Sequence, residues 1–275
     1  MGETCSNKAK IMKKFSFVGA GKMASAIVGG LIKSGAVRPW DIECSCGNDD
    51  TGKILAQNTG ISHTEDIRKL DAQTLVLACK PQQLADVASA IGDKRVELLI
   101  SILAGTTIEK LRARFSNAKK IVRVMPNMPA LISKGISCFA PESELSAEER
   151  ETVLGVLSAI GEAIECPESR LDAVTALSGS GPGYVFEFAA ALVEGGKAIG
   201  FSEEDATKLA LQTLLGSAML LVSDKRTPET LRDAVCSPGG TTLAGLEVFK
   251  AMGFRNMVSE ALKAAEKRSK ELSKL

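Results

Sequence analysis

A glycine turn between an apolar run and a helical segment of small residues constrains the fold most. The run at 15–18 is followed by Gly19-Ala20-Gly21. Gly19 permits a tight turn off a strand, Gly21 lets a phosphate approach the backbone, and Ala24 is small enough for helix–strand packing. The first-turn N–H groups then point at the phosphate. The pattern predicts a dinucleotide-binding strand–turn–helix unit, and an ordinary glycine turn is the alternative.

Before residue 170 strand-like runs alternate with helical ones. This alternation predicts a Rossmann-type, mostly parallel sheet with helices on both faces. Two helix starts have capping-box spacing, Thr106 with Glu109 and Ser146 with Glu149. The strand candidates are 15–18, 42–45, 74–78, 98–102, 121–125, 136–140 and 163–166.

After residue 170 apolar residues recur at helical spacing, and Ser202, Thr227-Pro228 and Gly253 mark helix ends. We therefore expect a dinucleotide-binding domain at 1–170 and an all-α dimerisation and substrate domain at 171–275. Segment 206–222 is apolar nearly all round, which predicts an oligomer interface, with packing inside one chain as the alternative. The helix candidates are 184–199, 206–222, 230–235, 243–252 and 256–272.

Two segments of the second half, 176–183 and 235–243, are rich in glycine and hydroxyl residues. Each precedes a helix, so uncovered backbone N–H groups can hold a carboxylate or phosphate there without a cation. Flexible loops are the alternative for both segments.

Composition excludes several classes of function. A net charge of +1 with one Trp and one Tyr argues against a nucleic-acid surface, and the apolar runs are too short to span a membrane. Seven cysteines, an odd number, favour a reducing compartment. Strand alternation explains Cys44 and Cys46, and His63 is the sole histidine, so we expect neither a metal site nor a Ser–His–Asp triad.

The chain resembles the pyrroline-5-carboxylate reductase family over nearly its whole length. The resemblance implies reduction of a cyclic imino acid to L-proline, the last step of proline biosynthesis, with NADPH or NADH. SGSGP and SPGGTT are the most specific of its motifs. These are FVGAGKMA at 17–24, ACKP at 78–81, RVMPNMPA at 123–130, DAVTALSGSGPGYVF at 172–186, LRDAVCSPGGTTLAGL at 231–246 and GFRNMVSEALKAAEKRSKEL at 253–272.

The resemblance also assigns site residues. The substrate carboxylate is expected at the turn of Ser237, Gly239, Gly240, Thr241 and Thr242, near Glu168, with the Thr242 hydroxyl beside the imine nitrogen. The cofactor is expected at Val18, Gly19, Ala20, Gly21, Lys22, Met23, Cys46, Asn48, Ala78, Cys79, Lys80, Pro81, Leu103, Ala104 and Asn127. Four residues depart from the usual pattern: Glu65, Cys79, Gly183 and Ala234.

A protonated imine is already an electrophile, so hydride addition needs positioning more than an activated nucleophile. Thr242 is therefore interpreted as an orienting donor. The second strand ends in Ser45-Cys46-Gly47-Asn48, small and polar groups that admit a 2′-phosphate, whereas Asp49 and Asp50 would repel one. We expect NADPH, with use of NADH as the alternative.

Two other functions stay open: an imine or hydroxyacid dehydrogenase of the same architecture, and a nucleotide sensor without catalysis. We expect a homodimer of interleaved helices, multiplied into a larger ring, with a small-molecule imino-acid substrate and neither nucleic acid nor membrane as partner. The expected location is the cytoplasm. Ser273-Lys274-Leu275 matches a peroxisomal address, which makes such an organelle the alternative.

Overall fold

The computed structural model describes residues 13–47 and 49–274 in two compact units. The first, called the sheet unit, comprises the described residues up to Gly179 and those from Glu266 onward. The second, called the helical unit, is Ser180–Ala265. These bounds differ from the division at residue 170, which stays a prediction for the domains.

Eight strands form one sheet in the order β3-β2-β1-β4-β5-β6-β7-β8. Among the described strands, only the β6–β7 pair is antiparallel, which confirms the mostly parallel sheet. The two-residue β3 was not predicted. The strands are β1 Lys13–Val18, β2 Ile42–Ser45, β3 Ser62–His63, β4 Ala72–Leu77, β5 Val96–Ser101, β6 Ala118–Met125, β7 Gly135–Pro141 and β8 Gly161–Glu165.

Side-chain alternation along the strands divides the apolar core between the two faces of the sheet. In β5, Leu98 and Ile100 pack into one cluster and Leu99 packs into the other. Helices cover each face, because Ile27 of α1 belongs to the first cluster and Leu111 of α4 to the second. The helices are α1 Lys22–Lys33, α2 Thr51–Thr59, α3 Leu84–Ile91, α4 Ile108–Arg114, α5 Ala147–Ser158 and α6 Leu171–Val174.

The two predicted capping boxes have different outcomes. Ser146 and Glu149 cap α5 reciprocally: the Ser146 N–H donates to Glu149 Oε2 at 2.8 Å and the Glu149 N–H to Ser146 Oγ at 3.2 Å. The box at Thr106 is wrong. The cap is Thr107, whose hydroxyl accepts the Lys110 N–H at 3.3 Å, while the buried Thr106 hydroxyl donates to the Ala104 carbonyl at 3.5 Å.

Residues 176–183 also differ from the predicted loop. A π-helical turn, Thr175–Gly179, follows α6 directly. Within the sheet unit the Thr175 and Ser178 hydroxyls donate to the carbonyls of Leu171 and Val174, each four residues earlier. The small hydroxyl residues therefore bond back to their own helix instead of opening a flexible loop.

The helical unit contains the predicted series of helices, and its caps agree with the sequence. Ser202 and Thr227 accept N–H groups of Asp205 and Thr230, and Gly253, at φ +68°, follows α10. From Glu266 onward the last helix belongs to the sheet unit. The helices are α7 Gly181–Ala198, α8 Glu203–Ser223, α9 Pro228–Ala234, α10 Thr241–Ala251 and α11 Phe254–Leu272.

Few side chains of the helical unit are buried within one chain. Among its described residues, the buried ones are Ala206, Ala210 and Leu231. On α8, by contrast, Met219 is 64 % exposed and Val222 is 89 % exposed. By length and composition alone, α8 is the one described helix that could cross a membrane, with a mean hydropathy of 1.3.

Candidate active site

A cavity of about 430 Å³ lies at the carboxyl ends of β1, β2 and β4. Strand order reverses at β1, which is flanked by β2 and β4, and open α/β sheets bind ligands at such a point. Eight of the predicted cofactor residues line this cavity: Val18, Gly19, Ala20, Gly21, Cys46, Ala78, Cys79 and Lys80.

The turn after β1 requires Gly19. Its φ is +101°, and a Cβ at this position would lie 2.5 Å from the Ala78 carbonyl oxygen. The Gly19 N–H donates to the Ser45 carbonyl at 2.7 Å, so β1, β2 and the segment after β4 are fixed together here. Any side chain at Gly19 would therefore distort the floor of the cavity.

Gly21 differs, because it faces open space. No heavy atom of the described residues outside its immediate surroundings lies within 4 Å of the position a Cβ would take. Gly21 is the N-cap of α1 and, as a glycine, has no side chain that could cap the first-turn N–H groups. The first-turn N–H groups and the open space above Gly21 fit a pyrophosphate. Lys22 and Met23 begin α1 but do not line the cavity.

Acidic residues at the far end of the cavity have partners. Asp49 Oδ1 accepts the Thr51 N–H at 3.0 Å and the Thr51 hydroxyl, and these bonds lower the pKa of Asp49. Lys53 Nζ lies 2.9 Å from Glu65 Oε1 and lowers the pKa of Glu65. Both carboxylates are thus held ionised, and Lys80 also lines this cavity.

Sequence reasoning missed several residues of the cavity wall. Their signal is position, since they lie in the helices and turns that follow β2, β3 and β4. Asn48, which the sequence assigns to this end of the site, lies outside the described residues. The lining residues that the sequence did not indicate are Thr51, Ile67, Gln83, Asp86, Val87 and Ala90. Ser45, Gly47, Asp49 and Glu65, which the sequence did single out, also line the cavity.

Four further residues predicted to bind the cofactor, Pro81, Leu103, Ala104 and Asn127, do not line this cavity. Pro81 begins a short 3₁₀ turn, and Leu103 and Ala104 follow β5. The Asn127 amide is fixed by two bonds, accepting the Ile136 N–H at 2.9 Å and donating to the Ser178 carbonyl at 3.2 Å. The part assigned to them in cofactor binding stays a prediction.

Glu168 has an internal role in the sheet unit. Its Oε1 accepts the Ile108 N–H at 2.7 Å and a guanidinium N–H of Arg123 at 3.0 Å. Arg123 is buried, so the carboxylate both neutralises a buried cation and satisfies the first residue of α4. Its contact with substrate stays a prediction.

The substrate residues of the helical unit form a tight turn before α10. The Gly240 N–H donates to the Ser237 carbonyl at 2.9 Å, and Gly239 has φ +68°. A Cβ on Gly240 would lie 2.3 Å from Ser237 Oγ and 3.0 Å from the Ser237 carbonyl oxygen, so a side chain there would displace the Ser237 hydroxyl. Gly240 caps α10 without a side-chain bond, and Thr241 and Thr242 begin the helix with exposed side chains. First-turn N–H groups lack intrahelical partners and can donate to an anion.

Comparison with known families gives two matches. A family model described as pyrroline-5-carboxylate reductase dimerisation matches residues 168–272. A second, described as NADP oxidoreductase coenzyme F420-dependent, matches residues 14–105. The first covers the substrate turn and the exposed helices, and the second covers the glycine turn and most of the cavity wall.

Relatives match over the full length of the chain. Pyrroline-5-carboxylate reductase of Methanosarcina acetivorans is 37 % identical, over 95 % of this chain and 98 % of the relative. The solved structure of the Coxiella burnetii reductase has a TM-score of 0.88 at 32 % identity, over 96 % of this chain and 100 % of the other. The Plasmodium falciparum enzyme, solved with NADP bound, has a TM-score of 0.84 at 30 % identity, over 95 % and 98 %. This chain therefore belongs to the pyrroline-5-carboxylate reductase family.

Proposed function

We propose that this chain reduces 1-pyrroline-5-carboxylate to L-proline, the last step of proline biosynthesis, with NADPH as hydride donor. The observation that carries the proposal is the open space over Gly21 at the N-terminus of α1, within the cavity at the ends of β1, β2 and β4. The NADP-oxidoreductase family match over residues 14–105 supports the same cofactor.

The residues of this chain mainly bind and orient. The first turn of α1 holds the pyrophosphate, and the glycines at 19 and 21 keep the backbone close to it. The bound dinucleotide supplies the hydride. The N–H groups that begin α10 hold the substrate carboxylate, and the Thr242 hydroxyl donates toward the imine nitrogen. Because the imine is protonated from solvent, the site needs no strong acid.

Charge supports NADPH over NADH. The cavity carboxylate Glu65 is neutralised by Lys53, and Asp49 is bonded to the start of α2. Lys80 lines the same cavity, and its charge, after the bonds from Thr51, helps to lower the pKa of Asp49. A 2′-phosphate bound at this end would meet the same cation. Lys53 thus offsets the charge of Glu65 and also lies 3.8 Å from Asp50, whereas Asp49 keeps its negative charge.

The chain functions as a homo-oligomer. The dimerisation family match covers the exposed helices, and we propose an interleaved dimer multiplied into a larger ring. In this arrangement the nucleotide half of each active site comes from one chain, and the turn of Ser237 to Thr242 comes largely from its partner.

We place the enzyme in the cytoplasm. The alternative is a peroxisome-type organelle, addressed by Ser273-Lys274-Leu275. Leu275 lies outside the described residues. Imaging a fusion that leaves the C-terminus free would test the location.

One assay tests the activity. Purified protein is mixed with NADPH and 1-pyrroline-5-carboxylate, and loss of NADPH absorbance is followed with proline formation. We expect proline and oxidised cofactor in equal amounts. NADPH binding without turnover would instead favour the nucleotide sensor, and oxidation of hydroxyacids without imine reduction would favour another dehydrogenase.

A further inference from the structure

Cys46, one of the predicted cofactor residues, meets His63 at the cavity wall. Cys46 follows β2, and His63 ends the neighbouring β3. Cys46 Sγ lies 3.9 Å from His63 Nε2 and accepts the Gly52 N–H from the first turn of α2 at 3.2 Å. The sulfur is partly exposed and lines the nucleotide cavity.

The pair depends on a glycine in the helix beside it. A Cβ on Gly52 would lie 2.6 Å from Cys46 Sγ and 2.6 Å from His63 Cδ2. Only glycine therefore lets the thiol and the imidazole rest together against the backbone of α2. The arrangement is a nucleophile with a neighbouring base and a backbone donor, open to a cavity.

The other described thiols lack this combination. Cys44 is fully buried, and burial raises its pKa to about 12. Cys79 lines the same cavity as Cys46, but burial raises its pKa and no described imidazole contacts it. Cys79 is therefore a matched comparison inside the same protein.

We propose that Cys46 is a site of covalent oxidation by hydroperoxides, with His63 as the proton carrier. The sulfur attacks one peroxide oxygen, so an S–O bond forms and the O–O bond breaks. The sulfur is oxidised by two electrons to a sulfenic acid, and the peroxide is reduced. The thiol proton passes through His63 to the leaving oxygen, which departs as water or an alcohol.

Oxidation and nucleotide binding exclude each other, a step that rests on the proposed function. The sulfur and Gly21 line one cavity, so a dinucleotide in it covers Cys46. Conversely, the oxygen that oxidation adds to Cys46 reduces the space at the end of the cavity where the 2′-phosphate is expected. The chain thereby gains a thiol that peroxide reaches when the cofactor is absent.

The test uses the reduced, full-length protein with hydrogen peroxide and dimedone, which traps sulfenic acids, and mass spectrometry of each cysteine peptide. We expect Cys46 to be labelled at least about tenfold faster than Cys79. Saturating NADPH slows labelling of Cys46 at least about tenfold, and His63→Gln slows it about threefold or more. Circular dichroism checks that the variant is folded.

Three results would overturn parts of the proposal. Equal labelling of Cys46 and Cys79 in the wild-type protein refutes the site, and this comparison needs no variant. A folded His63→Gln protein labelled at the wild-type rate refutes the proton carrier. Calorimetry of NADPH binding tests whether oxidation and nucleotide binding exclude each other. NADPH that binds without protecting Cys46 refutes this mutual exclusion. Failure to bind NADPH refutes the proposed cofactor and leaves the comparison of Cys46 with Cys79 intact.

Discussion

The sheet unit and the helical unit solve the burial of apolar surface in different ways. Strands of the sheet unit place alternate side chains in two cores, and large residues such as Phe17 and Ile100 have no exposed surface. The helices at 181–251 bury only small residues of α8 and Leu231 among the described positions, while Leu215 and Met219 stay more than half exposed.

The difference indicates which unit can fold alone. The sheet unit has its own hydrophobic interior, whereas the helical unit leaves large apolar side chains of α8 exposed, as at an interaction surface. Its match to a dimerisation family explains the exposure, because a second copy supplies the missing packing. The helical unit therefore depends on assembly to bury its apolar side chains, whereas the sheet unit has its core without a partner.

The largest expected effect is on assembly. A Leu215→Glu, Met219→Glu protein places two charges on the exposed face of α8, where a partner chain would bury them. We expect loss of the dimer, since each such residue contributes about 2 kcal/mol or more at an interface centre. Light scattering measures the mass. The control is Ile54→Glu, an equally exposed position of the sheet unit, which keeps the wild-type mass. An intact oligomer in the α8 variant would contradict the comparison.

The next largest effects are expected at the two cavity glycines, Gly19 and Gly21, one on stability and the other on NADPH affinity. Gly19→Val strains a positive φ and clashes with Ala78, so the sheet unit loses about 2 kcal/mol or more. Gly21→Val meets open space, so stability is nearly retained and NADPH affinity falls at least about tenfold. Denaturant unfolding and calorimetry separate the two. Wild-type affinity in Gly21→Val would remove the pyrophosphate from this turn.

A substitution in the substrate turn of the helical unit should lower turnover without changing the affinity for NADPH. Thr242→Ala removes one orienting hydrogen bond, and we expect kcat to fall about tenfold with the Kd for NADPH unchanged. Thr242→Ser keeps the hydroxyl and is the control. Equal loss of turnover and NADPH affinity would show that Thr242 belongs to the cofactor site.

The smallest expected effect is the pH dependence that the Arg112–Glu142 ion pair gives to the unfolding free energy of the sheet unit. The Arg112 Nε–H donates to Glu142 Oε1 at 2.9 Å, and this bond lowers the pKa of Glu142. The folded carboxyl binds its proton less readily than the unfolded one, so the stabilisation is present above the ordinary pKa and disappears as pH falls through the lowered value. Glu142→Gln should cost under about 1 kcal/mol at neutral pH, and the difference from wild type should vanish in acid. A constant difference in unfolding free energy across pH would refute the ion pair.

The sequence predicts the sheet well because its signals are local. Apolar runs and the glycine turn specify β1, the cavity floor and α1 within about ten residues of chain. By contrast, β3 has two residues and forms only by pairing with β2. The cap of α4 moves by one position because Thr106 is buried and bonds to Ala104 instead.

Long-range contacts could not be predicted at all. The Glu168 carboxylate meets the Ile108 N–H and Arg123 across 60 and 45 residues of chain, and nothing local indicates either bond. The same holds for Cys46 and His63, which only the pairing of β2 with β3 brings together. Family resemblance assigned the residues of the site, whereas their contacts required the fold.

The central claim is tested by mixing two chains that are impaired in different halves of the active site, at an NADPH concentration that does not saturate Gly21→Val. Gly21→Val damages the nucleotide half in the sheet unit, and Thr242→Ala damages the substrate turn in the helical unit. If one chain's sheet unit works with its partner's turn, each mixed dimer contains one undamaged site and one site with both defects. After subunit exchange in an equal mixture about half of the dimers are mixed, so roughly a quarter of all sites are undamaged. Activity should then rise to roughly a quarter of the wild-type value. Activity that stays at the level of the separate variants, with hybrid dimers demonstrated by mass spectrometry, would contradict the shared active site.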